Sequence, residues 1–237
     1  MKPLVVLAGG FGTRLRSLVS DVPKPLAPVA DNPFLVHLIE HWVQQGIKDF
    51  IFLLHYESEQ IESVLDELSR SPEFAGIKFR CVVEKIPLGT GGAVLNAIER
   101  LGIVGGFLVA NADTWLGSGV EKLSLMKSPA IAAVKVSNTQ RYGSLKFEGK
   151  KISAFEEKQN SLDEGYVNSG LYHLLPEIFQ GFKVGSSFSM ENDVFPRLVS
   201  SRKLTGLKLD ESFIDIGIPK DYLKYCKWVE LGRVYEL

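Results

Sequence analysis

The sequence has few of the features that mark several large classes of protein. Its two cysteines, Cys81 and Cys226, lie far apart and match no zinc-binding spacing. We therefore expect both to be buried structural thiols. No apolar run approaches the roughly 20 residues that a membrane-spanning helix needs. We accordingly expect neither a transmembrane segment nor a signal peptide, and we predict a cytoplasmic protein.

An excess of charge of either sign is also absent. The chain holds 27 Lys and Arg against 28 Asp and Glu, and its formal net charge is -1. This balance argues against a basic surface for nucleic acid and against an acidic, disordered tail. Binding of an anion must therefore come from the local placement of Lys and Arg. We expect neither nucleic acid nor a membrane as a partner, and a homo-oligomer stays open.

Apolar runs and helical patterns alternate through the first half of the chain. Strand-like runs at 4–8, 50–54, 77–83 and 106–110 are separated by amphipathic helical patterns. That rhythm predicts right-handed βαβ units and a mostly parallel sheet. Beyond residue 130, strand-like segments follow one another with little helix between them, which predicts added antiparallel strands. The 237 residues, 45% of them hydrophobic, suffice for one domain with a sizeable core.

The first strand-like run leads into a loop that is rich in glycine and positive charge. The apolar residues 4–8 are followed by three glycines within the four positions 9–12, then by Thr13 and Arg14. Lys24 stands further on between two prolines, which restrict the backbone that carries it. Glycine lets backbone N–H groups face a ligand at close range, and the two cations add fixed positive charge. The pattern predicts a binding site for a polyphosphate.

Three other interpretations of this loop compete with that prediction. A dinucleotide-binding fingerprint would have a third glycine where Leu15 stands, and its ribose-binding acid would follow a strand, whereas Asp31 lies in a proline-rich loop. A Walker loop would end in Gly-Lys-Ser/Thr, but Thr13 and Arg14 follow Gly12 here. A glycine-rich turn with solvated cations remains the alternative without a ligand. The position of the loop after a strand's carboxyl end, where open α/β sheets bind ligands, favours the polyphosphate site.

Six blocks of characteristic residues are spread along the chain. They lie, in order, at 7–15 with 23–26, 87–93, 111–113, 155–158, 168–170 and 213–217. Each is only moderately specific by itself, but all six in this order resemble the signature of the sugar-1-phosphate nucleotidylyltransferases. Several blocks look most similar to the branch that transfers GMP to D-glycero-α-D-manno-heptose 1-phosphate. Mannose-1-phosphate guanylyltransferases and the uridylyl and thymidylyl enzymes are close relatives of that branch.

The resemblance implies both a fold and a reaction. The fold would be α/β and three-layered, a Rossmann-like nucleotidyltransferase (GT-A-like) architecture whose mostly parallel mixed sheet carries added antiparallel strands. We expect a single domain, 1–237, with a nucleotide-binding half at 1–128 and a sugar-binding half at 129–237. A sugar 1-phosphate oxygen would attack the α-phosphorus of a nucleoside triphosphate and release pyrophosphate. The resemblance to the guanylyltransferase branch implies that this triphosphate is GTP. The nucleophile is already an anion, so the site must align and neutralise charge rather than supply a strong base.

The resemblance gives catalytic roles to Arg14 and Lys24 and a metal to Asp113 and Asp215. Arg14 would hold the triphosphate and stabilise departing pyrophosphate, and Lys24 would contact the α-phosphate or the sugar phosphate. Each aspartate lies at the end of an apolar stretch. Two carboxylates brought together at a sheet edge would repel unless a cation lay between them, and hard oxygen ligands with substrate phosphate fit Mg²⁺. The alternatives are solvated cations and aspartates that cap neighbouring turns or helices.

The remaining site residues are also implied by the resemblance. The nucleotide side comprises Leu7, Ala8, Gly9, Gly10, Gly12, Thr13, Glu84, Pro87, Gly89 and Thr90. The sugar-phosphate side comprises Gly143, Glu157, Lys158, Asn168 and Gly170. Glu157 can accept hydrogen bonds from sugar hydroxyls, and Lys158 can pair with the phosphate. A plain strand-to-helix connection at 87–92 and a solvated charge cluster at 156–158 stay open as alternatives.

Other functions fit the same residues. Within the class, the product could be GDP-mannose, a UDP-sugar or a dTDP-sugar. Outside it, a non-catalytic nucleotide-sugar sensor could use the same fold. The joint presence of Arg14, Lys24, Asp113 and Asp215 argues against the sensor, because a degenerate binding protein would be free to lose them.

Overall fold

A computed structural model describes residues 1–15, 18–19, 22–142, 144–156 and 163–232. Its strands are β1 (Leu4–Leu7), β2 (Pro28–Val29), β3 (Asn32–Pro33), β4 (Asp49–Leu54), β5 (Lys78–Val83), β6 (Phe107–Asn111), β7 (Thr114–Leu116), β8 (Ala130–Val136), β9 (Ser144–Glu148), β10 (Lys151–Glu156), β11 (Gly165–Leu174), β12 (Thr205–Leu209) and β13 (Phe213–Asp215). Its α-helices are α1 (Phe34–Gln44), α2 (Ser58–Arg70), α3 (Gly89–Leu101), α4 (Val120–Leu125), α5 (Phe195–Ser200) and α6 (Pro219–Glu230). Short 3-10 turns lie at Lys24–Leu26, Pro72–Phe74 and Pro176–Phe179, and a π-helical turn lies at Met190–Val194. Within these ranges no helix combines the length and the apolar character that crossing a bilayer would require.

Nine of the strands form one mixed sheet in the order β5-β4-β1-β6-β11-β8-β12-β10-β9. β5, β4, β1 and β6 are mutually parallel, and β12 is parallel to β8. β11 runs antiparallel to β6 and β8, and β10 runs antiparallel to β12 and β9. All strands of this sheet except β10 and β11 therefore point the same way. This confirms the predicted mostly parallel mixed sheet with added antiparallel strands.

The apolar run at the start of the chain becomes β1, in the middle of the parallel strands. Leu4, Val5 and Val6 are fully buried, as expected for a strand that is covered on both faces. Because side chains alternate along a strand, Leu4 and Val6 belong to one apolar cluster and Val5 to another. In β4, Phe50 and Phe52 likewise join the cluster of Leu4. The sheet thus separates two hydrophobic cores.

Helices cover both faces of the sheet. Side chains of α1, α2, α4 and α6 belong to the cluster that contains Leu4, and side chains of α3 and α5 belong to the cluster that contains Val5. In α1 the buried side chains of Phe34, Leu38 and Trp42 recur at helical spacing, as the sequence predicts. The two helical layers and the sheet confirm the predicted three-layer α/β architecture.

A second, two-stranded sheet joins distant parts of the chain. β13 pairs antiparallel with β7 and places Asp215 opposite Thr114. The backbone N–H of Ile216 donates to the carbonyl of Asp113 at 3.0 Å. The sequence predicts the strand-like stretch that ends in β13 but not β7, which follows directly after Asp113. This pairing is what brings Asp215 to the edge of the main sheet.

Two elements differ from the sequence expectations. α4 and β12 form in segments where the sequence pattern predicts neither a helix nor a strand. The helical spacing of residues 190–199, which the sequence shows to be interrupted by Pro196, forms two elements, the π-helical turn and α5, with Pro196 in the first turn of α5. Proline has no N–H to donate to the preceding turn, which accounts for the break.

Both cysteines are free thiols and only half-buried, so the expectation that they are buried is wrong. Burial, together with the carboxylates of Glu62 and Asp66, raises the pKa of Cys81 to about 11. Burial also raises the pKa of Cys226. Since the thiolate is the reactive form, both side chains are unreactive thiols at neutral pH, as a structural role requires.

Candidate active site

The carboxyl ends of the four parallel strands β5, β4, β1 and β6 meet at one edge of the sheet. Glu84 follows β5, His55 follows β4, the glycine loop at 9–12 follows β1, and Asp113 follows β6. Open α/β sheets bind ligands at this edge. The sequence predicts every one of these positions except His55, which has the same strand-end signal in the form of the apolar run at 50–54.

A cavity of about 200 Å³ lies over the end of β1 and collects most of the predicted phosphate-binding residues. Its lining includes the predicted residues Leu7, Ala8, Gly10, Gly12, Thr13, Arg14, Lys24 and Asp113. Arg14 has an exposed side chain, whereas the side chain of Lys24 is only 10% exposed. The cavity thus has one cation at its rim and one in its wall.

Lys24 connects the two predicted metal ligands. Its Nζ lies 2.5 Å from Oδ2 of Asp113 and 3.7 Å from Oδ1 of Asp215. Thr114 Oγ1 donates to the other oxygen of Asp113 at 3.0 Å, and the backbone N–H of Gly217 donates to Oδ1 of Asp215 at 2.6 Å. The structure therefore brings both aspartates within reach of one positive charge, as two neighbouring carboxylates require.

Gly12 allows Lys24 to approach the glycine loop. Its φ is +60°, a backbone conformation that favours glycine, and a Cβ added there would lie 2.8 Å from Cβ of Lys24. The 3-10 turn that begins at Lys24 follows Pro23, whose extended backbone directs the chain into the turn. The loop and the lysine are thus fitted to each other.

A second cavity of about 330 Å³ adjoins the first and shares Leu7, Gly10 and Asp113 with it. Its lining includes the predicted residues Gly9, Glu84, Pro87, Gly89 and Thr90. It also includes Phe11, Ala93 and Asn111, which lie within the sequence blocks, and Leu53, His55 and Glu191, which the sequence does not predict. Its lining is more apolar than that of the first cavity and suits a flat ring system better than a phosphate.

Glu84 brings a carboxylate into this second cavity. The backbone N–H of Leu88 donates to Oε2 at 3.1 Å, and Oε1 is buried with no partner in the described part of the chain. Burial raises the pKa of Glu84, although the Leu88 N–H and the nearby His55 act in the opposite direction. His55 also contacts the carbonyl oxygen of Glu84 through Nδ1 at 2.9 Å. Glu84 is thus a hydrogen-bond acceptor that is held in place through Oε2, and its Oε1 has no partner in the described residues.

Two glycines of the block at 87–93, Gly91 and Gly92, contact another segment of the chain. A Cβ on Gly91 would lie 2.4 Å from the ring of Phe188. The N–H groups of Gly91 and Gly92 both donate to the carbonyl of Phe188, at 3.0 and 3.2 Å. These two glycines therefore make room for the segment before the π-helical turn rather than for a nucleobase. Gly89 and Thr90 do line the second cavity.

Of the predicted sugar-phosphate residues, Asn168 and Gly170 lie on β11, beside β6. Asn168 Nδ2 donates to the hydroxyl of Tyr172 at 2.9 Å, and its Oδ1 accepts from the N–H of Gly170 at 3.0 Å. Gly170 lies against the side chain of Asn111, which lines the second cavity. Gly143, Glu157 and Lys158 lie outside the described residues.

The family model described as Nucleotidyl transferase matches residues 4–230. The chain belongs to this family. The family match spans both halves of the chain and all six sequence blocks, and it confirms the resemblance inferred from them.

Two curated nucleotidyl transferases are similar over nearly their full length. D-glycero-alpha-D-manno-heptose 1-phosphate guanylyltransferase of Campylobacter jejuni subsp. jejuni is 36% identical over 223 residues, which cover 93% of this chain and 97% of that protein. The protein of the same name from Aneurinibacillus thermoaerophilus is 33% identical over 228 residues, covering 94% and 96%. Among solved structures, HddC from Yersinia pseudotuberculosis complexed with GMP-PN has a TM-score of 0.82 and 33% identity, covering 97% of this chain and 100% of that chain.

Some residues at this nucleotidyl transferase site could not be found from the sequence. Arg141 ion-pairs with Asp221 at the start of α6, and its other guanidinium nitrogen lies 3.9 Å from Oδ2 of Asp215. Glu191 reaches the second cavity from the π-helical turn. Neither lies at the end of a strand, and neither has a nearby motif, so no local signal marks them.

The fit between Gly12 and Lys24 predicts unequal effects of two glycine substitutions. Gly12→Ala is expected to lower the free energy of unfolding by about 1–3 kcal/mol, because alanine is strained at positive φ and its Cβ meets Lys24. Gly10→Ala is the matched control, since an added Cβ there meets nothing within 4 Å. Urea unfolding monitored by circular dichroism gives both values. Equal stability of the two variants would show that the fit does not constrain the loop.

Proposed function

We propose that the chain transfers GMP from GTP to D-glycero-α-D-manno-heptose 1-phosphate, which yields GDP-heptose and pyrophosphate. The observation that carries this proposal is the pair of adjoining cavities, one lined by Arg14 and Lys24 and the other by apolar groups and Glu84. Together they suit the triphosphate and the base of one nucleotide. The choice of heptose is supported by the names of the two relatives, which the chain matches over nearly their full length.

Two cations act on the triphosphate. Arg14 holds the β- and γ-phosphates and stabilises the pyrophosphate as it leaves, and Lys24 contacts the α-phosphate. Negative charge grows on the transferred and departing groups during the reaction, so preorganised positive charge lowers the barrier. The low exposure of Lys24 supports this role, because a charge in a cavity wall is screened less by water than one on the surface.

The nucleophile is a phosphate oxygen of the sugar 1-phosphate. This oxygen forms a bond to the α-phosphorus, the bond from the α-phosphorus to the bridging oxygen breaks, and pyrophosphate leaves with the electron pair. No proton has to be removed, because the nucleophile is an anion at neutral pH. The side chains therefore need to hold two repelling anions in line and need not act as a base.

Asp113 and Asp215 are the residues that would hold Mg²⁺. The Lys24 ammonium lies close to both carboxylates and indicates that the pair attracts a cation. This supports their suitability as ligands of a metal ion. In the described part of the chain no group of three or more His, Cys, Asp or Glu side chains is placed to hold a metal. Water and substrate phosphates would thus supply the other ligands, as is usual for Mg²⁺. Bound there, the ion would add positive charge at the reacting phosphates.

The nucleotide occupies the half of the chain at 1–128, and the sugar phosphate occupies the half at 129–237. Asn168 and Gly170 contribute to the sugar side, and the adjacency of β11 and β6 supports their placement because β6 leads into Asp113. The family resemblance adds three residues to this side, namely Gly143, Glu157 and Lys158.

Guanine is favoured by the carboxylate of Glu84. Guanine carries two adjacent N–H donors, N1–H and N2–H, on its pairing edge, and a carboxylate can accept from both. Uracil and thymine place a single N–H between two carbonyl oxygens, which a carboxylate would repel. A buried acceptor that a wrong base leaves unpaired discriminates strongly. The buried Oε1 of Glu84, which has no partner in the described residues, is the group that would be left unpaired.

A pyrophosphate-release screen tests the proposal. GTP, ATP, UTP, CTP and dTTP are each paired with heptose, mannose and glucose 1-phosphates, with and without Mg²⁺. We expect the highest kcat/KM with GTP and the heptose 1-phosphate, and only in the presence of Mg²⁺. Release with UTP or dTTP alone would overturn the guanylyl assignment, and no release with any pair would favour a nucleotide-sugar sensor.

Loss of Arg14, which lines the first cavity, or of Asp215, which lies beside Lys24, should slow turnover severely. Arg14→Ala and Asp215→Asn are each expected to lower kcat by at least about 100-fold, the size of effect that follows from removing one major charge stabiliser. Arg70→Ala is the matched control, because Arg70 is 76% exposed on α2 and pairs only with exposed Asp66 among the described residues. Steady-state pyrophosphate release gives kcat, and circular dichroism reports folding. Near-normal rates in folded variants would contradict the assigned roles.

The raised pKa of Glu84 predicts how GTP use depends on pH. The ionised carboxylate is the form that accepts from guanine, so kcat/KM for GTP should fall as pH decreases through this pKa, earlier than for an ordinary glutamate. Glu84→Gln should lower kcat/KM by about 10- to 100-fold, because hydrogen bonds to charged groups contribute about 1.5–3 kcal/mol. The fall of kcat/KM at low pH should also disappear in the Glu84→Gln variant.

Glu67→Gln is the control for that experiment, since Glu67 is exposed on α2. Its pH profile should overlay that of the unchanged protein. If Glu84→Gln retains both the profile and the preference for GTP, Glu84 does not read the base.

A further inference from the structure

Phe11 carries the only side chain of the glycine loop at 9–12, because the other three positions are glycines. It lines the second cavity together with Gly9 and Gly10. Although phenylalanine is strongly apolar, Phe11 is 46% exposed. The loop therefore leaves a large apolar surface in contact with water beside the cavity that suits a flat ring system.

Gly9 lets the loop lie directly against the end of β4. A Cβ added at Gly9 would lie 3.2 Å from the Cβ of His55 and 3.2 Å from its backbone nitrogen, which is closer than most side chains tolerate. Glycine avoids this crowding because it has no Cβ. The close approach places Phe11 beside the two aromatic side chains that follow β4, His55 and Tyr56.

Two ring contacts hold the ring of Phe11. Its centroid lies 5.6 Å from that of His55, with the ring planes at 86°, and 5.5 Å from that of Tyr56, with the planes at 49°. Aromatic rings at these separations attract each other, and a near-perpendicular arrangement is favourable. His55 is anchored in turn, because its Nδ1 donates to the carbonyl oxygen of Glu84 at 2.9 Å. Phe11 is therefore held in place although much of its surface faces water.

A nucleobase in the second cavity would need apolar neighbours for its flat faces. The carboxylate of Glu84 can accept hydrogen bonds only from the edge of a base, and the faces of a base stack favourably on aromatic side chains. Among the described residues that line this cavity, Phe11 and His55 are the ones with an aromatic ring. His55 is half-buried and bound to Glu84 through Nδ1, whereas Phe11 retains the larger free surface.

We propose that Phe11 is a specificity-determining residue whose ring packs against the guanine base. This inference rests on the proposed function, which places guanine in the second cavity. The glycine loop then contributes to both parts of the nucleotide, since its backbone and Arg14 serve the phosphates while Phe11 serves the base. Phe11 takes no part in the reaction at the α-phosphorus.

A series of substitutions at Phe11 tests the inference through the binding of GTP, measured by isothermal titration calorimetry without the sugar phosphate. Phe11→Ala should raise the dissociation constant about 10- to 100-fold, as expected when an aromatic side chain that stacks on a base is removed. Phe11→Leu should raise it at least about 5-fold, because leucine supplies apolar surface but no flat ring. Phe11→Tyr should stay within about 3-fold, because it keeps the ring. Affinity for inorganic pyrophosphate, which has no base, should not change in any of these variants.

Phe11→Trp provides a second readout, because it keeps an aromatic ring and adds a fluorescent one. GTP should quench the fluorescence of this variant more than that of the unchanged protein, and pyrophosphate should not. Leu125→Ala is the matched control for loss of an exposed apolar side chain, since Leu125 is 80% exposed on α4 and lines neither cavity. Its affinity for GTP should equal that of the unchanged protein. Thermal unfolding shows that each variant is folded at the titration temperature.

The outcomes distinguish this inference from the proposed function. If the unchanged protein binds GTP and Phe11→Leu binds it as tightly, or if GTP leaves the added tryptophan unquenched, the inference alone is overturned. It is also overturned if Phe11→Ala weakens GTP and pyrophosphate equally, because Phe11 would then support the loop and not the base. If the unchanged protein neither binds GTP nor releases pyrophosphate with any substrate pair, the proposed function fails and the inference fails with it.

Discussion

The site depends on holding two carboxylates close together without letting them repel each other. Asp113 follows β6, whereas Asp215 ends β13, which lies late in the sequence. The pairing of β13 with β7 brings the two together, and the Lys24 ammonium between them supplies the compensating charge. Lys24 in turn is placed by a loop in which Gly12 leaves room for it. A cluster of opposite charges therefore ties the first 25 residues to the last strand.

Much of this arrangement is predictable from local sequence. The apolar run in β1 and the strand–helix rhythm after it indicate a parallel sheet, and in a parallel sheet the carboxyl ends of neighbouring strands meet at one edge. The glycine loop and Asp113 follow two of these strands and can thus be assigned to one edge from this pattern, and the family resemblance adds Arg14 and Glu84. The alternation of Leu4, Val5 and Val6 between two cores has the same local origin.

The remainder depends on contacts between segments that no local pattern connects. The glycines at 91 and 92 are part of a conspicuous motif, yet they make room for Phe188 and for the backbone of Ser186, and nothing near them in sequence indicates those partners. Glu191 enters the second cavity from a π-helical turn, and Arg141 approaches Asp215 from a loop between β8 and β9. Each of these side chains becomes part of the site only because the chain returns to the same sheet edge.

The near-neutral net charge of the chain conceals a strong local separation of charge at this edge. Lys24 is held by two carboxylates, so a phosphate can engage it fully only if those carboxylates find another cation. A divalent ion on Asp113 and Asp215 would meet that need and leave the lysine for the substrate. Under the proposed function, the same two aspartates would have the lysine as their partner in one state of the site and a metal in the other. Polyphosphate binding and metal binding would then strengthen each other, because each relieves the charge that the other leaves behind.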